Sequence, residues 1–222
     1  MKRLLGLLIA AAAAPLPAEQ PAGTGPWIEL LSPRTKSLDE HWTTTGNWVL
    51  EEGVATLTPR PGDKGWARWT DYLWSKRDYT DFEIEFEYKI GKGGNSGFFF
   101  RVADKKSPVK EGIEVQIFAT DPAKPQDKLT DHDAGGIIPG LKPHKNNSEA
   151  PGEWNKMSVW HRDTRIVVHL NGTYVNAHDL GGGGQLALRP RTGPIGFQDH
   201  ALPISLRKIR IRTLPPLAPD DR

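Results

Sequence analysis

Apolar and polar positions alternate along much of this chain with a period of two, and the pattern is cleanest between Asp81 and Phe118. In Phe82-Glu83-Ile84-Glu85-Phe86-Glu87-Tyr88 every second residue is apolar and every intervening one is acidic. That is a strand with one face on a core and the other toward water or a ligand. The bend Gly91-Lys92-Gly93-Gly94-Asn95-Ser96-Gly97 supplies residues that tolerate positive φ, and the chain returns as Phe98-Phe99-Phe100-Arg101-Val102. Phe98, Phe100 and Val102 share one face of the returning strand, which leaves Phe99 and Arg101 on the other. A third strand over residues 113–118 points Ile113, Val115 and Ile117 one way and Glu114, Gln116 and Phe118 the other. The expectation is three strands side by side, with an arginine, a carboxylate, an amide and aromatic rings on a face suited to a polyhydroxylated ligand.

The same period recurs elsewhere. Strands are expected over residues 27–31, 65–69, 72–75, 153–162, 164–170, 195–198 and 204–213. A hairpin is expected over residues 48–57 around Glu52-Gly53, and Asn171-Gly172 reads as the turn into Tyr174-Val175-Asn176. The last strand needs a bulge near Arg207-Lys208, because Leu206 and Ile209 are out of phase. Residues 119–151 form a long irregular excursion from the end of the strand that bears Glu114 and Gln116, which marks it as functional. About a dozen short strands without crossover helices imply an all-β fold, a two-sheet antiparallel β-sandwich of jelly-roll type in a single domain.

Composition narrows the partners. The 222 residues carry 29 basic and 27 acidic side chains, a formal net charge of +2, and this balance argues for neither a nucleic acid nor an acidic partner. No cysteine is present, so any metal would need His, Asp, Glu or Asn ligands. Residues 1–18 read as a secretory signal: Lys2-Arg3 opens it, an apolar run follows, and Pro15-Leu16-Pro17-Ala18 offers a cleavage site. A linker over residues 19–26, a sandwich domain over 27–214 and a tail over 215–222 complete the expected organisation. Export to a periplasm or beyond follows, with no membrane association after signal cleavage; the oligomeric state is left open.

Several motifs resemble a known family. They are Gly94-Asn95-Ser96-Gly97 with Arg101, Gly112-Ile113-Glu114-Val115-Gln116-Ile117, Pro151-Gly152-Glu153-Trp154-Asn155, Asn171-Gly172, and Gly193-Pro194-Ile195-Gly196-Phe197-Gln198-Asp199-His200. In order and spacing they are similar to the 3-keto-disaccharide hydrolase family across nearly the whole mature chain. The resemblance implies a concanavalin A-like sandwich, export, and cleavage of glycosides whose glucose unit is oxidised at C3. The chain departs from that pattern at Ile113, where a tyrosine is usual, at Ala201, where glycine is frequent, and at Lys208, where asparagine is common.

Candidate chemistry follows from both readings. Glu114 and Gln116 lie two apart on one strand face, about 7 Å from each other. Glu114 and His200 are the candidate base and acid, in either order, and Arg101 the electrophile that stabilises an enolate. Asn95, Phe99, Gln116, Gln198 and Asp199 are the expected substrate-binding groups. No cofactor is required by the sequence; a divalent metal ion is compatible, with ligands unknown, and Asp131-His132-Asp133 is a weak candidate for one. Glu83, Glu85 and Glu87 form a carboxylate row that reads as a solvated face, and Trp154 as core or as a sugar platform. The alternatives to a 3-keto-glycoside-cleaving enzyme are a non-catalytic carbohydrate-binding module and a conventional glycoside hydrolase with two working carboxylates.

Overall fold

A computed structural model describes residues 24–217. Within them the strands are β1 (Ile28–Leu31), β2 (Trp42–Thr43), β3 (Trp48–Glu51), β4 (Val54–Leu57), β5 (Leu73–Tyr79), β6 (Phe82–Ile90), β7 (Asn95–Phe100) and β8 (Ile113–Phe118). β9 (Ile137–Ile138), β10 (Trp154–Arg162), β11 (Arg165–Leu170), β12 (Thr173–Asp179), β13 (Gly193–Phe197) and β14 (Ile204–Thr213) follow. They form two antiparallel sheets. The larger runs β12-β11-β10-β6-β14-β4-β3, with β1 also paired to β14, and the smaller runs β2-β5-β13-β7-β8-β9. The expected two-sheet sandwich is what the chain builds. The signal and most of the linker lie outside the described residues.

The expected side-by-side arrangement of the three central strands is corrected by the pairing. β6 sits inside the larger sheet between β10 and β14, whereas β7 and β8 pair with each other in the smaller sheet. The glycine bend therefore carries the chain across the sandwich instead of closing a hairpin. Both strands keep their apolar sets inward, and what changes is which sheet each joins. Phe86 of β6 meets Phe98 of β7 at 5.5 Å between ring centroids and Phe197 of β13 at 5.0 Å, edge to face, so aromatic rings fill the space between the sheets. Each such fully buried ring contributes about 1.5–3 kcal/mol.

Two local expectations fare differently. The bulge in β14 is present: pairing with β6 shifts register between Arg207 and Arg210, and Lys208 takes φ 51°. Residues 65–69 do not form a strand; the chain turns there into a 3-10 helix over Trp69–Asp71. The apolar spacing in that stretch belongs to aromatic rings packed against one another in tilted and edge-on contacts, not to a strand face.

The outer face of the larger sheet is a charge ladder. Glu83 pairs with Arg212, Glu85 with Arg210 and Lys156, and Glu87 with Arg207 and Lys208. Trp154 is neither core nor a free platform, because the Arg207 guanidinium lies 3.9 Å from the centre of its ring.

Candidate active site

The chemistry lies on the outer face of the smaller sheet, in a cleft of about 560 Å³, within the range of about 300–1,000 Å³ usual for small-molecule sites. Strand order sets its plan. Asn95 of β7 and Glu114 and Gln116 of β8 make the floor, with Gln198 just beyond β13. Trp66 lies on the β5 side, because Tyr72, which precedes β5, holds its backbone. His132 and Ile138 lie on the opposite, β9 side. The long excursion over residues 119–151 thus supplies a wall of the site.

Glu114 is the central group. Its side chain faces outward because Ile113, Val115 and Ile117 occupy the alternating core positions. The carboxyl lies over Gly97 of the adjacent strand, where any Cβ would overlap it. It is 6% exposed, and no described residue hydrogen-bonds it. Burial first, and the Asp131 charge second, push its pKa up to about 8. At neutral pH it is therefore chiefly a neutral acid with a proton to give.

Beside it runs a polar relay. Gln116 Nε2 donates to Asn95 Oδ1 at 2.7 Å, and Asn95 Nδ2 reaches His200 Nε2 at 3.4 Å. An amide nitrogen has only hydrogens to offer, so His200 Nε2 is the acceptor, with its lone pair directed at the Asn95 amide. Gln198 Nε2 donates to the Tyr72 hydroxyl at 2.8 Å, which in turn donates to the Trp66 carbonyl at 2.9 Å. Burial pushes the Tyr72 phenol up, so it stays protonated. Ser96 Oγ donates to the Gln198 carbonyl and pins that segment to β7.

Residues 26–212 match the 3-keto-alpha-glucoside-1,2-lyase-like domain family. The chain belongs to this family. The expectation drawn from the motifs is met, and with it the expectation of a glycoside-cleaving enzyme. The chain is also similar to a 3-keto-disaccharide hydrolase of Bacteroides thetaiotaomicron, 23% identical over 207 residues that cover 75% of this chain and 70% of that protein. A crystal structure from Parabacteroides distasonis, provisionally described as a glycosyl hydrolase, superposes with a TM-score of 0.71 at 25% identity, covering 85% of this chain and all of that one. A galectin-like protein of Bacillus subtilis superposes with a TM-score of 0.56 at 11% identity, covering 82% of this chain and 94% of the other, a likeness of fold.

Of the residues expected at the site, Asn95, Glu114, Gln116, Gln198 and His200 line the cleft together. Arg101 does not. At φ 53° it leaves strand geometry, and its guanidinium turns away to donate to the Pro190 and Arg189 carbonyls at 2.7 and 2.8 Å and to approach buried His161 at 3.4 Å. With alternation broken there, Val102 joins Phe99 on the outer side instead of Phe98 and Phe100 in the core. Phe99 is also corrected. It is fully buried under Tyr72 and Trp74, whose ring reaches it by lying across Gly196. Asp199 is buried behind the cleft, where Oδ1 accepts from Ala201 N at 2.7 Å and Oδ2 faces Arg68 at 3.6 Å, so it shapes the His200 loop without touching the cleft.

The sequence analysis put Phe118 on the ligand-facing side of its strand without a role, did not single out Trp66, Val109 or Ile138, and treated His132 as part of a candidate metal triplet. That triplet is taken apart by the fold. Asp133 is buried and ion-paired to Lys124 at 2.7 Å, Asp131 accepts from Gly140 N, and His132 alone of the three lines the cleft. Among the described residues no three His, Asp or Glu side chains are grouped to hold a metal. A larger hollow of about 970 Å³ lies over the charge ladder, but Arg207 and Lys208 within it are already committed to Glu87.

Proposed function

We propose that this enzyme is exported and cleaves glycosides whose glucose unit carries a ketone at C3, by elimination followed by hydration. One observation carries the reading: Glu114, buried without a hydrogen-bond partner among the described residues and so pushed toward its protonated form, shares an open cleft with a histidine whose Nε2 accepts from an amide. A ketone at C3 acidifies the C2 proton, and His200 Nε2 takes it as the Asn95 amide turns from the imidazole to the substrate. The electron pair left at C2 builds an enolate on the C3 oxygen, for which the remaining amide hydrogens of Gln116 and Asn95 are the available donors. Collapse of the enolate forms the C1–C2 double bond and expels the C1 substituent, which leaves with the proton of Glu114. Water then adds at C1, its proton goes to the Glu114 carboxylate, and His200 returns a proton to C2. The net change is glycoside plus water to keto-sugar plus alcohol.

This chemistry needs one acid and one base. The residues lining the cleft include one carboxylate, Glu114, whereas a conventional glycosidase sets two at a defined separation. The homologue's description as a 3-keto-disaccharide hydrolase supports the oxidised substrate, and the composition of residues 1–18 supports export.

The test incubates the protein with a 3-keto-disaccharide and with its unoxidised parent, with and without chelator. Cleavage confined to the keto-sugar is expected. Cleavage of the parent would replace this reading with a conventional hydrolase, and binding without turnover of either would leave a carbohydrate-binding module. For export, N-terminal sequencing of secreted protein is expected to find Glu19 first, and recovery of Met1 contradicts it.

A further inference from the structure

The walls of the cleft differ in kind from its floor. The amides and Glu114 lie on the floor, while Trp66, Val109, Phe118 and Ile138 stand around it. Large apolar side chains that the fold leaves exposed are few, and two of them, Trp66 at 44% and Val109 at 38%, line this one cleft. Trp66 has little structural duty of its own. Its ring meets Trp69 at 5.0 Å between centroids and is otherwise open, and its indole N–H makes no hydrogen bond within the described residues.

What fixes Trp66 is its backbone, and the fixing group belongs to the site. Tyr72 donates to the Trp66 carbonyl and accepts from Gln198, so the wall and the floor hang from one buried hydroxyl. Behind it Tyr72 stacks on Trp74 at 5.5 Å and packs on Phe99 at 5.7 Å, which holds the hydroxyl still. An exposed ring anchored this way is a rigid stacking surface, with little left to lose in entropy when a flat group covers it.

A keto-sugar on the floor would occupy the amides, Glu114 and His200. His132 offers a hydrogen-bonding group on the β9 side, but on the β5 side the wall offers the Trp66 ring with a single N–H, too little for a second sugar with several hydroxyls, whereas an apolar ring fits against that face. Resting on the function proposed above, we infer that Trp66, on the β5 wall of the cleft, forms a leaving-group subsite that takes a flat, apolar group attached at C1, an aromatic aglycone.

The test compares methyl and benzyl 3-keto-glucosides, whose alcohols are of similar acidity, so that the ring and not the leaving ability differs. Wild type is expected to favour the benzyl substrate in kcat/KM by about tenfold, the equivalent of about 1.4 kcal/mol. Trp66→Ala should erase that preference, bringing the benzyl-to-methyl ratio of kcat/KM to about one, and Trp66→Phe should retain most of it. Melting curves of both variants verify that the fold is intact. Equal ratios in wild type and Trp66→Ala overturn the subsite even though both substrates are cleaved. If neither is cleaved, the catalytic reading fails separately, and calorimetric binding of the same two compounds decides the subsite: a benzyl preference that vanishes in Trp66→Ala sustains it, and its absence overturns it.

Discussion

Glu114 lies across Gly97. The two residues sit on neighbouring strands of the smaller sheet, and the missing side chain of one is the space that the carboxyl of the other fills. Gly97→Ala should therefore displace the carboxyl from the floor. Small misplacements of an acting group cost about 100-fold in rate, and overpacking costs about 1–3 kcal/mol of stability. We expect kcat/KM on a 3-keto-glycoside to fall by about that factor in protein that remains folded by circular dichroism. Undiminished turnover would remove Glu114 from the chemistry.

The raised pKa of Glu114 sets a pH dependence. An acid with a pKa of about 8 donates well at neutral pH and poorly above it, so kcat/KM should decline above about pH 8. Glu114→Gln, which cannot give up a proton, should lower the rate by about 10²–10⁴-fold and flatten that alkaline limb. A pH–rate profile of both proteins checks it.

The same group acts on stability with a definite sign. Its folded pKa lies above its unfolded value, so the folded state holds more protons between the two, and stability is lost as pH rises from about 4.5 to about 8. Glu114→Gln should therefore melt higher than wild type at pH 9, with the difference closing at pH 4. Buried His161 acts at the other end. Burial pushes it down to about 4, against the pull of the Thr80 carbonyl, so stability is lost as pH falls from about 6.5 to about 4.

Arg101 should behave as a structural residue. Removing its guanidinium strands the Arg189 and Pro190 carbonyls and the His161 ring edge, so Arg101→Met should cost about 2–4 kcal/mol. Urea unfolding measures the loss, and kcat/KM of the folded variant should be unchanged. A collapse of kcat alone would return Arg101 to catalysis.

Ala201 stands at φ 57° directly after His200, a conformation that costs a residue with a Cβ about 1–2 kcal/mol. Part of that is offset by the greater freedom of glycine in the unfolded chain. Ala201→Gly should raise stability by about 0.5–1 kcal/mol, seen as a higher urea midpoint at an unchanged slope.

Period-two alternation determines which side chains of a strand face inward, and hydrophobic burial enforces it. Hence the sandwich, the outward Glu114 and Gln116, the Asn171-Gly172 hairpin and the β14 bulge are all legible in the order of residues. The same alternation says nothing about which sheet a strand joins, because the core face looks alike from either side, and so β6 and β7 part company across the glycine bend. Nor does it report where strand geometry stops: one positive φ at Arg101 turns that side chain away from the site. Trp66 and His132 reach the cleft through irregular segments, whose course is set by long-range contacts such as the Tyr72 hydroxyl and carries no period to read. The sequence by itself thus determined the faces of the strands and the family, whereas the meeting of Glu114, His200 and Trp66 in one cleft was decided by tertiary packing, since contacts between residues distant in the chain leave no local pattern.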